Sequence, residues 1–295
     1  MQTHAAIRQL CLAQDRRQLK NAARFDGIGT FDMDGLRTMR LFCQAASTRE
    51  EVEAELQWLS QFSEASVEAV KEALWDSSAL TSLGYAAGVA ITPHLLSSVA
   101  CERDLTEDAV FIGCKLCAGD QPKIIILPLL VYECAADMGD EVKCKTLVEA
   151  VAQAVRRCAR PQFVAQIIHL PGHWTVAVAD RHIDQLFFAK TMAAIYGPPS
   201  SLVARMNTIM QCVDAHLADE NSTEWQATGR PQLLCVPQQT ARHGPASCGV
   251  GVIMIIRDIA DQQQCPPRNT WDFSTSRNMR LGIIQKMVHH ALFCR

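Results

Sequence analysis

The chain lacks a long apolar run, a surplus of one charge, a secretory leader pattern and a paired metal-binding motif, and each absence excludes a class of protein. Its longest apolar stretches, Ile124–Tyr132 and Val250–Ile256, are the size of a strand or a core helix. A bilayer-spanning helix needs about 20 residues. Net charge is −3, so nucleic acid would find no basic footprint to bind. The first residues lack the apolar core of a secretory signal. Arg8, Arg16, Arg17, Lys20 and Arg24 follow a helix-like pattern that reads as a solvated helix face, with an import peptide as the alternative. The one C-x-x-C, Cys114-Lys-Leu-Cys117, has no second pair at similar spacing. A zinc site wants two such pairs, so these thiols read as core packing within an apolar helix. His169 and His173 are four apart, but Pro171 and Gly172 between them break the helix that would put both on one face. The sequence calls for no metal and no cofactor.

What is present is a large core and much sulfur. Nearly half of the 295 residues are hydrophobic, enough for one large domain or two modest ones. The 13 cysteines are odd in number and have no framework spacing. That points to a reducing, intracellular compartment, nucleus or cytoplasm.

Up to about residue 90 the pattern predicts helices. Thr48 and Glu51 form a capping box, followed by Val52, Leu56, Leu59 and Phe62 at helical spacing, then Val67, Val70 and Leu74. Ser77–Gly88 is the best linker candidate, which divides the chain into a helical region 1–90 and a second unit 91–295. In that second unit Leu105–Ala118 reads as a helix capped by Thr106. Lys123–Tyr132 reads as an edge strand or one interrupted at Pro128, and Leu147–Arg157 as an amphipathic helix. Phe163–Leu170, Trp174–Ala179 and Leu186–Ala189 are rich in β-formers, the last two flanking the turn Asp180–Asp184. Ser201–Leu217 and Val250–Ala260 read as helices around a strand at Gln232–Val236. Strands in the middle and helices at both ends predict an α+β fold with a largely antiparallel sheet.

Three residues carry candidate chemistry. Cys248 ends a Gly/Pro/Ser loop and opens an apolar helix, where the free N–H groups of the first turn favour a thiolate. Its own backbone N–H is a candidate oxyanion donor. His173 stands at a strand edge beside Trp174, as a base would. The amide of Gln239 is a further candidate donor to an oxyanion. Gly249, with no side chain, would let a substrate approach the backbone. Each has an ordinary reading beside the chemical one: a small buried hydrophobe, a satisfied histidine, a polar loop residue.

Taken together the motifs resemble the ubiquitin-like-protein-specific cysteine proteases, the SUMO and NEDD8 deconjugating enzymes related to the adenovirus-type maturation protease. The likeness runs from about Leu105 to Ile259. Leu105-Thr-Glu-Asp-Ala-Val110 is similar to that family's opening helix. Ile167-Ile-His-Leu-Pro-Gly-His-Trp174 looks like its strand leading into His-Trp, and Pro237-Gln-Gln239 and Ser247-Cys-Gly249 look like its Pro-Gln-Gln and Asp-Cys-Gly. The resemblance implies a papain-like fold with an N-terminal helical segment added. It implies Cys248 as nucleophile, His173 as base and Gln239 as oxyanion donor, with Trp174 and Gly249 against the substrate. The partner it implies is a ubiquitin-like modifier or its conjugates, cut after a C-terminal Gly-Gly.

The pattern departs from the family at the third member of the triad. Laying the hairpin down without gaps puts Lys190 where the family has an acid, and a cation there would disfavour imidazolium. Asp180 and Asp184 lie at the far end of the hairpin, about seven residues or roughly 20 Å away. An uncharged orienter is also compatible with papain-like chemistry. Asp104 stands where the family has a tryptophan over the diglycine, and the loop from Gln239 to Cys248 is a few residues longer, holding Arg242 and His243. The alternatives to a peptidase are an impaired relative that binds a ubiquitin-like partner, and an acyltransferase using the same Cys–His pair.

Overall fold

The computed structural model describes residues 22–25, 29–62, 65–76, 82–119, 121, 123–136, 139–156, 158, 160–192, 197–217, 225, 227, 229–239 and 246–293. Its centre is a five-stranded sheet in the order β5 (Ile124–Leu127), β6 (Phe163–Leu170), β7 (His173–Asp180), β8 (Gln185–Ala189), β9 (Gln232–Leu234). β6 (Phe163–Leu170) and β7 (His173–Asp180) pair antiparallel along their whole length, from Phe163 opposite Asp180 to Leu170 opposite His173. Pro171 and Gly172 make the turn between them. Gly172 has φ +69°, a left-handed conformation that favours glycine. The next turn, Arg181–Asp184, is steadied by Asp180, whose Oδ1 accepts from His182 N at 2.9 Å, and leads into β8 (Gln185–Ala189). β5 (Ile124–Leu127) and β9 (Gln232–Leu234) add parallel strands at the two edges. Pro128, with no N–H to donate, ends β5 and starts α5 (Leu129–Cys134). The α+β fold with a largely antiparallel centre is as the sequence indicates.

Both faces of the sheet are covered, so β7 is buried at every position. Period-2 alternation sorts the strand residues between two cores. Val176, Val178, Phe187 and Ala189 face one core with α4 (Glu107–Ala118), α8 (Cys248–Gln262) and α9 (Ser276–Phe293). Ala177, Ala179, Leu186 and Phe188 face the other, with α6 (Glu141–Val155) and α7 (Leu202–Leu217). Thr106 caps α4 as its position implies, its hydroxyl accepting from Ala109 N at 3.2 Å. Cys114 and Cys117 are buried free thiols within that helix.

The first 90 residues differ from the all-helical expectation. They hold α1 (Met33–Leu59) and α2 (Ala65–Asp76), but also two hairpins, β1–β2 (Ala22–Phe25 with Gly29–Asp32) and β3–β4 (Gly84–Ala86 with Val89–Ile91), after which α3 (Pro93–Val99) follows. Thr48 caps nothing. It lies inside α1, its hydroxyl donating to Gln44 O at 2.9 Å, since a Thr-x-x-Glu spacing occurs as easily within a helix as at its start. The cap of α1 is Asp32, which accepts from Gly35 N at 2.7 Å. Of the linker candidate, residues 77–81 lie outside the described residues, as do Arg8 to Lys20, while Gly84–Ala86 is strand. Val52, Trp58 and Leu59 of α1 and Val67, Val70 and Leu74 of α2 belong to the same core as Cys248. Among the described residues no helix is long and apolar enough to cross a membrane, and no group of His, Cys, Asp and Glu is placed to hold a metal.

Candidate active site

The site forms where the first turn of α8 meets the start of β7. Cys248 is the first residue of α8 and His173 the first of β7, 75 residues earlier in the chain. The join is direct: the backbone N of Trp174 donates to Cys248 Sγ at 3.4 Å. Both side chains are buried, each 4% exposed, beneath a rim that includes the exposed Asp104, His169 and Gly172.

The imidazole of His173 is held from one side. Its Nε2 lies 3.1 Å from Thr191 Oγ1. Its Nδ1 is buried with no hydrogen-bond partner among the described residues. Thr191, itself fully buried, follows β8 by two positions. The orienting position therefore belongs to Thr191 and not to Lys190. Phe188 opposes Ala177 and Phe187 opposes Val178, and continuing that pairing sets Lys190 opposite Thr175 and Thr191 opposite Trp174, diagonal to His173, from where its hydroxyl reaches the ring. What Lys190 contributes is its carbonyl, which accepts from Gln238 Nε2 at 2.6 Å.

Gln239 is buried on the same strand end, its backbone N donating to Thr191 O at 2.7 Å. Thr191 thus touches the segments of both His173 and Gln239. Residues 240–245, with Arg242 and His243, lie outside the described residues. Trp174 is a wall of the site: its indole Nε1 donates to Leu105 O at 3.0 Å, and its ring lies 4.4 Å from that of His169. Gly249 faces inward. A Cβ there would stand 2.9 Å from Leu105 Cδ1 and 3.1 Å from Val110 Cγ2, so the missing side chain makes room for the start of α4.

Burial sets the protonation states. It pushes the Cys248 thiol up, against the backbone N–H groups of Trp174 and Gly249, and the Asp104 carboxylate adds to the rise. It pulls His173 below its ordinary value, with a smaller push from His169. At rest the thiol and the imidazole are both neutral, and no hydrogen bond joins Nδ1 to the sulfur. Brought within hydrogen-bonding reach, such a pair can pass the thiol proton to Nδ1 and release a nucleophile. The sequence did not single out Thr191, because a threonine two residues past a strand has no signature until the hairpin register is known.

No protein-family model matches the chain, and no curated protein does. Solved structures do. The C-terminal Ulp1 protease domain, solved in complex with Smt3, the yeast ortholog of SUMO, is similar at TM-score 0.61 and 15% identity, over 78% of this chain and 97% of that one. The catalytic domain of the Ulp1-like SUMO protease of Chaetomium thermophilum gives TM-score 0.56 and 17% identity, over 77% of this chain and 90% of that one. Ulp1 with its catalytic cysteine oxidised to a sulfenic acid gives TM-score 0.57 and 16% identity, over 78% and 97%. The chain has the fold of these proteases.

Proposed function

We propose that this chain, which has the fold of the SUMO-protease catalytic domains, is a thiol-dependent peptidase that hydrolyses a peptide or isopeptide bond after the C-terminus of a ubiquitin-like modifier. The observation that carries the reading is the meeting of Cys248 with the start of β7, the sulfur bonded to Trp174 N and the His173 ring next in the chain. His173 Nδ1 takes the thiol proton, and the sulfur attacks the scissile carbonyl carbon. The resulting oxyanion is met by the N–H of Cys248 and the amide of Gln239. His173 then protonates the departing amine, and water hydrolyses the thioester, returning the thiol. Thr191 orients the ring in place of an acid. The depth of Cys248 favours a slender extended chain end such as diglycine.

The test is a SUMO, NEDD8 or ubiquitin bearing a C-terminal electrophile, incubated with wild type and with Cys248→Ala. Covalent labelling of wild type alone supports the peptidase. A specific observation favours a second reading, a partner-binding relative with impaired catalysis: the orienter is a hydroxyl and His173 Nδ1 has no partner among the described residues. Equal reversible binding by both proteins, without labelling, would establish that reading instead. An acyltransferase using the same pair would give neither result with these probes.

A further inference from the structure

A buried cation is tied to the segment that carries the sulfur. Arg280, on α9, is wholly buried. Among the described residues it forms no ion pair with a carboxylate. Its hydrogen bonds go to backbone carbonyls: Nη1 donates to Val99 O at 2.7 Å and to Ser98 O at 3.3 Å, and Nη2 donates to Arg103 O at 3.1 Å and to Ala246 O. Ala246 lies two residues before Cys248. Arg103 lies two before Leu105, whose carbonyl holds the Trp174 indole. One guanidinium therefore ties the approach to α8 and the approach to α4, the two segments that close on the thiol.

An apolar side chain would leave these carbonyls unsatisfied, so a donor is needed here, but burying a cation without a paired anion is costly and a neutral donor would cost less to bury. Burial does pull Arg280 down, to about 10, against the attraction of Glu102 and of a Cys248 thiolate. At neutral pH it stays charged. A cation fixed there serves a function that a neutral anchor cannot, because its attraction to the sulfur exists only once the thiol has ionised.

We propose that Arg280 is a positioning residue for Cys248: through the Ala246 carbonyl it fixes the first turn of α8, and its buried charge favours the thiolate. This deepens the peptidase reading and rests on it for its purpose. The titratable groups whose charge acts on Cys248 are Asp104 ahead of α4 and Arg280 on α9, and His173 is next in the chain to the Trp174 N–H on the sulfur. Those facing Arg280 are Glu102, Asp104, Cys101 and Cys248.

The test is the rate of alkylation of the intact chain by iodoacetamide from about pH 7 to about pH 9, below the raised midpoint of Cys248, read on the Cys248 peptide by mass spectrometry. It needs no modifier, so its failure is separate from failure of the peptidase reading. In Arg280→Gln the rate at each pH should fall roughly tenfold, as for a thiol midpoint about one unit higher. In Arg280→Lys, which keeps the charge and loses the fork, the rate should stay near wild type. An unchanged rate in folded Arg280→Gln overturns the proposal. If circular dichroism finds Arg280→Gln unfolded, Arg280→Lys decides: a rate roughly tenfold lower overturns the proposal, and a wild-type rate upholds it.

Discussion

Thr191 Oγ1 lies 3.1 Å from His173 Nε2, so the imidazole is oriented by a hydroxyl where the resembling family uses a carboxylate. With Nε2 protonated and donating to Thr191, Nδ1 holds the lone pair that a base needs. A neutral partner fixes the ring without favouring its charged form. A net hydrogen bond of this kind is worth about 1 kcal/mol. Thr191→Val should slow labelling of Cys248 by a modifier electrophile roughly 3- to 10-fold. Thr191→Asp should raise the His173 pKa, followed by NMR titration of the ring, because a buried anion favours imidazolium. Equal labelling rates in wild type and Thr191→Val would remove Thr191 from the mechanism.

The burial shifts at Cys248 and His173 run in opposite directions, thiol up and imidazole down. Between those values neither group is charged. Reactivity of Cys248 toward a small alkylating agent should therefore climb with pH past the ordinary thiol value of about 8.5. A preformed thiolate–imidazolium pair would instead give a plateau beginning at acid pH. The shape of the pH–rate curve decides between them.

Glu55 on α1 is 1% exposed, and neither carboxyl oxygen has a hydrogen-bond partner among the described residues. Desolvation, with repulsion from Glu51, raises its pKa from 4.5 to about 9. A folded-state pKa above the unfolded one means that the folded chain binds the extra proton. Its contribution is complete below about pH 4.5 and is lost as pH rises toward 9. Each unit is worth about 1.4 kcal/mol. Glu55→Gln should therefore stabilise the protein by roughly 2–5 kcal/mol near pH 8 and by little near pH 4. Denaturant midpoints at the two pH values check this, and an equal gain at both would refute the assignment.

An alanine at 249 sets two effects against each other. In a helix it gains about 1 kcal/mol over glycine. Here its methyl would stand 2.9 Å from Leu105 Cδ1 and 3.1 Å from both Leu105 Cβ and Val110 Cγ2, and such overpacking costs about 1–3 kcal/mol. Overpacking should win, because Leu105 is also held through its carbonyl by Trp174. Gly249→Ala should lower the melting temperature and slow Cys248 labelling, whereas a higher melting temperature would show that Leu105 yields freely.

What the sequence made legible was whatever depends on local pattern. The strand Phe163–Leu170, the hairpin from Trp174 to Ala189, the Thr106 cap and the placing of Cys248 at a helix start all follow from periodicity and turn residues. What it hid depends on partners far along the chain. Thr48 carries a capping pattern, yet α1 runs straight through it because Asp32 had already capped that helix. The short hairpin Gly84–Ile91 is held by β3 packing on α9, some 200 residues later. Thr191 was hidden by register: the gapless count lands on Lys190, one residue short, and sets a cation where the fold places a neutral hydroxyl beside His173.

Because Thr191 takes Gln239 N on its carbonyl and His173 on its hydroxyl, the imidazole and the Gln239 backbone are mounted on one residue. A force on the chain just after Gln239 would reach the imidazole through two hydrogen bonds, so neither can be displaced without tugging the other.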